Sequence, residues 1–296
     1  MGNYSLFMSL PSFSSDISTL GIVGSGIMAA GIAEVALLAG FDVMVRSRSE
    51  RGATELVAQV SKSLGRRVER GKLEIQVRDE AARRLTTTTN LGDLARCSIV
   101  IESVVEDKEQ KTSLLRELDS VVPTGSIIAT NTSTLSVSEL ALATMQPDRV
   151  CGIHFFNPAT TMPLVEVIRP LTASQSTIDV AIAFVAMCGK EAVLVRDDPG
   201  FIVNALLFPY LNDAIKMMER GTASMDDIDA AMKGGCNFPM GPFALLDLVG
   251  LDTSLSIIET LYAASGNTAD CPAESLVRLV ADGHLGRKTG RGFRTY

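Results

Sequence analysis

The chain has 296 residues, 46% hydrophobic and 21% charged, with a formal net charge of −7. That length and composition suit one large or two medium globular domains, and the acidic balance excludes broad binding to nucleic acid or anionic membranes, whose phosphates reward basic surfaces. The five cysteines (Cys97, Cys151, Cys188, Cys236, Cys271) are scattered, with no CxxC or metal spacing, so reduced thiols in the cytoplasm and no metal are expected.

The opening MGNYSLF lacks the basic start and apolar run of a signal peptide, and Leu6 stands where myristoylation requires Ser or Thr. Residues before about Ile17 are expected to be a disordered lead. The apolar window Leu20–Phe41 contains Glu34 and five glycines (Gly21, Gly24, Gly26, Gly31, Gly40), which argues for a buried strand–turn–helix over a membrane span.

Short apolar runs then alternate with helical patterns. In order these are TLGIV, a helix near Ile27–Ala39, DVMVR, a long helical stretch near residues 50–84, CSIVIESV and a helix near Asp107–Leu118. SIIATN, VCGIHFF, LVEVIR, a helix near Ser174–Cys188 and AVLVR follow. The alternation predicts an α/β fold, a mostly parallel sheet with helices on both faces. After DDPG (Asp197–Gly200) the apolar spacing becomes 3.6, as in Ile202, Leu206, Leu207, Leu211, Ile215 and Met218, with no clear strand. Pro199 can open a helix at its first turn. Two domains are expected, residues 17–198 and an all-helical 199–296. The Met and Leu residues of the second suit either a core or a dimer interface.

GSGIMAAG (Gly24–Gly31) follows an apolar strand and opens an apolar helix, reading G-x-G-x-x-A. Gly24 permits the tight turn, Gly26 lets the backbone approach a pyrophosphate, and Ala29 allows close helix–strand packing. The N–H groups at the helix start, at Ile27 and Met28, face the anion. Strand before and helix after make this a Rossmann-type dinucleotide site.

The second strand ends in VMVRSRSE (Val43–Glu50). An acid about twenty residues past the loop normally accepts the ribose 2′-OH bond; here Ser47 stands there, beside Arg46 and Arg48. A carboxylate would repel a 2′-phosphate, whereas Ser47 can donate to one and Arg48 can pair with it or stack on adenine. Arg46, pointing the other way by strand alternation, helps less. The expected cofactor is NADP, with NAD as the alternative; arginines merely solvated at a strand end would leave the same residues.

His154 and His284 are the only histidines. His154 lies in CGIHFFNP and Glu166 in PLVEVIR. A hairpin closing over Asn157–Pro163 would set 154 opposite 166, roughly 4.5–5.5 Å apart at Cβ on one face. A carboxylate that fixes the imidazole's tautomer makes a general base; a structural histidine in an apolar strand is the alternative.

Together GSGIMAAGIAE, ATNTSTLS, GIHFFNPATTMPLVEVI, DDPGFIVNALLFPYLNDAI, FPMGPFALLDLVGLD and GRKTGRGF resemble the short-chain 3-hydroxyacyl-CoA dehydrogenases, nearest to the bacterial 3-hydroxybutyryl-CoA dehydrogenases. The likeness runs from about Thr19 to Tyr296, and HFFNP with DxPGFIVN is its most specific part. It implies a Rossmann domain, a helical domain that usually dimerises, and an acyl-CoA substrate. It also implies that His154 is the general base, that Glu166 orients it, and that Ser133 and Asn204 hydrogen-bond the substrate. Ser133 could instead cap a helix starting near Val137, and Asn204 could satisfy backbone groups.

By the same likeness Glu106, Lys111, Asn131 and Asn157 serve the nicotinamide-ribose end of the cofactor, although Lys111 could equally form a surface ion pair. The helical arm Ser61–Leu73 matches the part that closes on coenzyme A. There Ser63 and Arg70 would share a helix face, flanked by Arg66 and Arg67. That basic face also suits an acidic acyl carrier protein, or simple solvation. The chain departs from the family at Ser47, usually Asp, at Arg70, commonly Lys, and at Arg294, commonly aromatic.

The reading is therefore a dehydrogenase interconverting 3-hydroxyacyl and 3-ketoacyl thioesters with a nicotinamide cofactor. Its rivals are the same chemistry on a carrier-protein thioester and a nucleotide-binding structural or sensory protein without catalysis. A phosphogluconate-type dehydrogenase shares the loop, but its lysine-base motif is not found.

Overall fold

A computed structural model describes residues 19–296. The expectations for the stretch before Ile17, and for a domain start at residue 17, lie outside the described residues. The chain divides after Asp197 into two compact units.

The first unit begins with β1 (Thr19–Val23), α1 (Ile27–Leu38), β2 (Asp42–Arg46), α2 (Glu50–Glu69), α3 (Ile75–Arg83) and β3 (Leu85–Thr88). It continues with β4 (Ile99–Glu102), α4 (Lys108–Val121), β5 (Ile127–Thr130), α5 (Val137–Ala141), β6 (Val150–Phe155), β7 (Leu164–Arg169), α6 (Gln175–Met187) and β8 (Glu191–Arg196). These strands form one sheet in the order β3-β2-β1-β4-β5-β6-β7-β8. Every neighbouring pair is parallel except the β6–β7 hairpin. The expected α/β class and mostly parallel sheet are borne out. Strands such as β4 read as continuous apolar runs because both faces are covered. Ile99 and Ile101 pack into the core shared with α1, while Val100 turns to the opposite core with Leu115 and Leu118 of α4.

The structure differs from the sequence reading in three places here. β3, sequence LTTT, was not expected as a strand, because an edge strand with mostly polar, half-exposed side chains lacks the apolar signal. The single long arm is broken: α2 ends at Glu69, Arg70 is its C-cap, and Gly71 takes φ 65° before α3 begins. Arg70 therefore caps the end of α2, its N–H still bonded to the Arg66 carbonyl, and Arg67 turns onto Glu34 at 3.3 Å. Pro199 does not open a helix; a turn with Gly200 at φ 75° and Phe201 at φ 56° precedes the next helix.

The second unit is helical: α7 (Val203–Glu219), α8 (Met225–Cys236), α9 (Pro242–Val249), α10 (Leu251–Ser265) and α11 (Glu274–Ala281). Leu211 and Ile215 of the predicted stripe join Phe208, Phe243, Leu246, Leu251 and Leu276 in its core, whereas Ile202 and Leu206 are exposed. Asp247, buried in α9, accepts from the backbone N–H groups of Phe293 and Arg294 (both 2.9 Å) and from the Tyr296 hydroxyl (3.0 Å). Arg294 pairs with Asp226 (2.6 Å) and Asp229 (2.9 Å), which ties the final residues to α8. Among the described residues no helix is long and apolar enough to cross a membrane.

Candidate active site

The candidate residues of the first unit, apart from Ser63 and Arg70 toward the far end of α2, lie where the parallel strands end, the side on which open α/β sheets bind ligands. At the turn after β1, Gly24 has φ 128°, and a Cβ there would stand 2.2 Å from the carbonyl oxygen of Ser103 after β4. Only glycine fits. Gly26 caps α1 without any side chain, and a Cβ added to it would meet nothing within 4 Å. The N–H groups of Ile27 and Met28 thus start α1 beside a residue with no side chain and open space around it, as a dinucleotide pyrophosphate requires. The residues fit the cofactor.

Ser47 follows β2 and is buried at 2% exposure, its hydroxyl donating to that of Ser25 in the glycine turn at 3.1 Å. Ser49 caps α2 by accepting from the Gly52 N–H at 3.2 Å. A side chain at Gly52 would collide with the hydroxyls of Ser47 and Ser25, so the close packing of these serines depends on glycine there. Arg48 is exposed, while Arg46 donates from Nε to the Thr89 carbonyl at 3.3 Å and so turns away from them.

In the β6–β7 hairpin His154 pairs directly with Glu166. Nδ1 of His154 and Oε2 of Glu166 are 2.8 Å apart, with both side chains buried. Opposite a carboxylate, Nδ1 carries the proton and donates it, so Nε2 is the nitrogen that can exchange a proton with a ligand. The Phe156 ring packs against the imidazole at 4.5 Å between centroids. The turn after β6 rests on α1: a Cβ at Gly31 would meet that of Ala159 at 3.1 Å. The histidine strand and the helix opened by the glycine turn are thus held in one body.

Ser133 lies in the loop after β5. Glu106 gathers that loop through one oxygen, which accepts from the N–H groups of Ser133 (2.9 Å) and Thr134 (3.1 Å) and from the Thr132 hydroxyl. Ser133 does not cap α5; Ser136 does, accepting from the Glu139 N–H. Asn131 accepts from the Phe155 N–H at 2.8 Å, which joins this loop to the end of the histidine strand.

Beneath the loop Lys111 is 1% exposed and extends its ammonium to Glu102 (2.7 Å) and Glu106 (3.2 Å), so the alternative of a surface ion pair is excluded. Glu102 also accepts from the Val104 N–H and the Thr130 hydroxyl, both at 2.7 Å. Burial pushes the Glu106 carboxyl up, but Lys111 and the hydrogen bonds from Thr132, Ser133 and Lys111 outweigh it and hold it below the usual range. The sequence reading missed Glu102 and Thr132. An acid closing the apolar run SIVIE was the available signal, because a carboxylate there needs a buried partner.

Asn157 is exposed in the turn after β6, just before a cis proline peptide. Asn204 belongs to the helical unit, where it is buried in the first turn of α7. Ser63 is half-buried near the end of α2, while Arg66 and Arg70 are exposed.

Two family models match in tandem: the 3-hydroxyacyl-CoA dehydrogenase NAD binding domain over residues 19–198 and the 3-hydroxyacyl-CoA dehydrogenase C-terminal domain over residues 200–296. A 3-hydroxybutyryl-CoA dehydrogenase of Mycobacterium tuberculosis is 43% identical over 96% of this chain and 100% of its own length. The human mitochondrial hydroxyacyl-coenzyme A dehydrogenase is 39% identical, over 93% of this chain and 90% of its own. The crystal structure of an (S)-3-hydroxybutyryl-CoA dehydrogenase from Ralstonia eutropha superposes with a TM-score of 0.92 at 41% identity, covering 95% of this chain and 99% of that one.

Proposed function

This chain belongs to the 3-hydroxyacyl-CoA dehydrogenase family of oxidoreductases, and on that premise we propose that it interconverts 3-hydroxybutyryl-CoA and acetoacetyl-CoA, with NADP favoured over NAD. The buried His154–Glu166 pair at 2.8 Å is the observation that carries the reading.

A bound nicotinamide would supply the hydride acceptor for C3 of the hydroxyacyl thioester, or the hydride donor for the ketone. Nε2 of His154 takes the proton of the 3-hydroxyl as the C–O bond becomes a carbonyl, and gives it back in reduction. Glu166 keeps the proton on Nδ1 and stabilises the imidazolium that forms. This base catalysis contributes roughly 10²–10⁴-fold. Ser133 and Asn204 hydrogen-bond the substrate oxygens and align C3.

Gly24 and Gly26, with the N–H groups of Ile27 and Met28, hold the pyrophosphate. Glu106, Lys111, Asn131 and Asn157 shape the nicotinamide-ribose end, with Lys111 acting through Glu106. Ser47 and Arg48 receive a 2′-phosphate; the missing acid and the exposed guanidinium support that choice, although the matched family model is named for NAD. Ser63 and Arg70 face the coenzyme A portion. The first unit serves as the dinucleotide domain with its helical arm, and the second as the substrate and dimerisation domain of a homodimer. The setting is cytoplasmic, where the free thiols stay reduced.

The exposed Arg66 and Arg70 also favour a second reading, an acyl group carried on an acidic carrier protein. Steady-state reduction of acetoacetyl-CoA with NADPH and with NADH, repeated with acetoacetyl carrier protein, separates these. Reduction of the coenzyme A ester with higher kcat/KM for NADPH is expected. Equal efficiency with both cofactors overturns the NADP assignment alone, turnover of only the carrier ester selects the second reading, and inertness toward both esters supports a non-catalytic nucleotide-binding protein.

A further inference from the structure

The segment following Ser133 is fixed from a direction the mechanism above does not use. Asp197, the last residue of the first unit, lies just past β8. Its Oδ2 accepts from the Ser136 hydroxyl at 2.9 Å and the Ser138 N–H at 2.6 Å, while its Oδ1 accepts from the Val137 N–H at 3.0 Å. These donors open α5, a helix of five residues. So short a helix has little stability of its own, and what places it comes from outside its own hydrogen bonds. Ser136 caps only the Glu139 N–H, so the N–H groups of Val137 and Ser138 are left for Asp197, a residue sixty positions away.

The serine loop is thus anchored by two carboxylates from distant parts of the chain. Glu106 grips Thr132 to Thr134, and Asp197 grips Ser136 to Ser138. Ser133 belongs to the span they bracket. Backbone N–H groups bonded to a carboxylate are among the stronger restraints a loop can have, and a side chain that must align a reacting centre loses rate steeply with small displacements.

We propose that Asp197 is a positioning residue for Ser133: its carboxylate sets the path of residues 136–138 and thereby holds the Ser133 hydroxyl where the substrate oxygen binds. The proposal rests on the reading that Ser133 hydrogen-bonds the substrate.

A double-mutant cycle on the full-length enzyme tests it. Asp197→Asn cannot accept from all three donors; it is expected to lower kcat for acetoacetyl-CoA reduction roughly ten- to a hundredfold while leaving the cofactor KM unchanged. Asp197→Glu should restore part of that loss. In a Ser133→Ala background Asp197→Asn should cost nothing further, because the group it positions is gone. Multiplicative losses in the double variant, or full kcat in Asp197→Asn, overturn the proposal. Full activity in Ser133→Ala alone overturns the Ser133 reading beneath it. Ser136→Ala removes one bond to Asp197 together with the cap on the Glu139 N–H, and carries the same cycle if Asp197→Asn does not melt cooperatively; its loss must also vanish beside Ser133→Ala.

Discussion

His154 Nδ1 and Glu166 Oε2 face each other at 2.8 Å across adjacent antiparallel strands, both side chains buried among apolar neighbours such as Ile153, Val165 and Val167. A buried carboxylate tolerates that setting only with a partner, and the imidazole is that partner. Glu166→Gln keeps the shape and removes the charge that stabilises the imidazolium. It should lower kcat roughly ten- to a thousandfold in both directions without changing cofactor affinity. Steady-state kinetics with separate cofactor titration checks this; unchanged kcat would make the pair structural.

Lys111 is enclosed between Glu102 and Glu106 at 1% exposure. Lys111→Met leaves Glu102 charged in a dry site and should destabilise the protein by about 3–5 kcal/mol. Adding Glu102→Gln should return part of that loss. Glu106 is held below its ordinary range in the folded state, so the stability it contributes is complete above its unfolded pKa and disappears as pH falls through the lowered folded value. Without Lys111 that acid limb should move to higher pH. Melting temperature measured across the acid range reads both effects; a variant that melts like the parent at every pH contradicts them.

Ser47, in contact with Ser25 of the glycine turn, occupies the usual place of a ribose-binding acid. Ser47→Asp introduces a charge that repels a 2′-phosphate at a cost of several kcal/mol. kcat/KM for NADPH should fall at least about tenfold and the preference should pass to NADH. Arg48→Ala should weaken NADPH alone. A ratio of efficiencies left unchanged by both substitutions would remove these residues from cofactor selection.

Asp247 is the knot of the helical unit, receiving the N–H groups of Phe293 and Arg294 and the Tyr296 hydroxyl. Asp247→Ala strands two half-buried backbone donors and the hydroxyl of the exposed Tyr296, so a loss of about 1–3 kcal/mol is expected by chemical denaturation. Arg294→Leu should cost less, since its pair with Asp226 is largely exposed and the buried Asp229 keeps its bond from the Phe243 N–H. Equal losses would show that the tail is held elsewhere.

The sequence made the glycine turn legible because strand, loop and helix are consecutive, and it made the His154–Glu166 register legible because a symmetric hairpin has one arithmetic. What it hid depends on distant pairing. β3 is polar because it is an edge, and the break at Gly71 lies between two helical patterns that read as one. The Glu102–Lys111–Glu106 network and the Asp197 anchor join residues whose partners no local period reveals. Arg294 looked like a mere departure until Asp226 and Asp229 supplied its reason.

The central claim is proton exchange at Nε2 of His154 coupled to hydride transfer. Single-turnover reduction of acetoacetyl-CoA by His154→Ala, with cofactor binding measured separately, tests it most directly. The account predicts hydride transfer slowed roughly 10²–10⁴-fold with cofactor affinity retained; a single-turnover rate near that of the parent enzyme would contradict it.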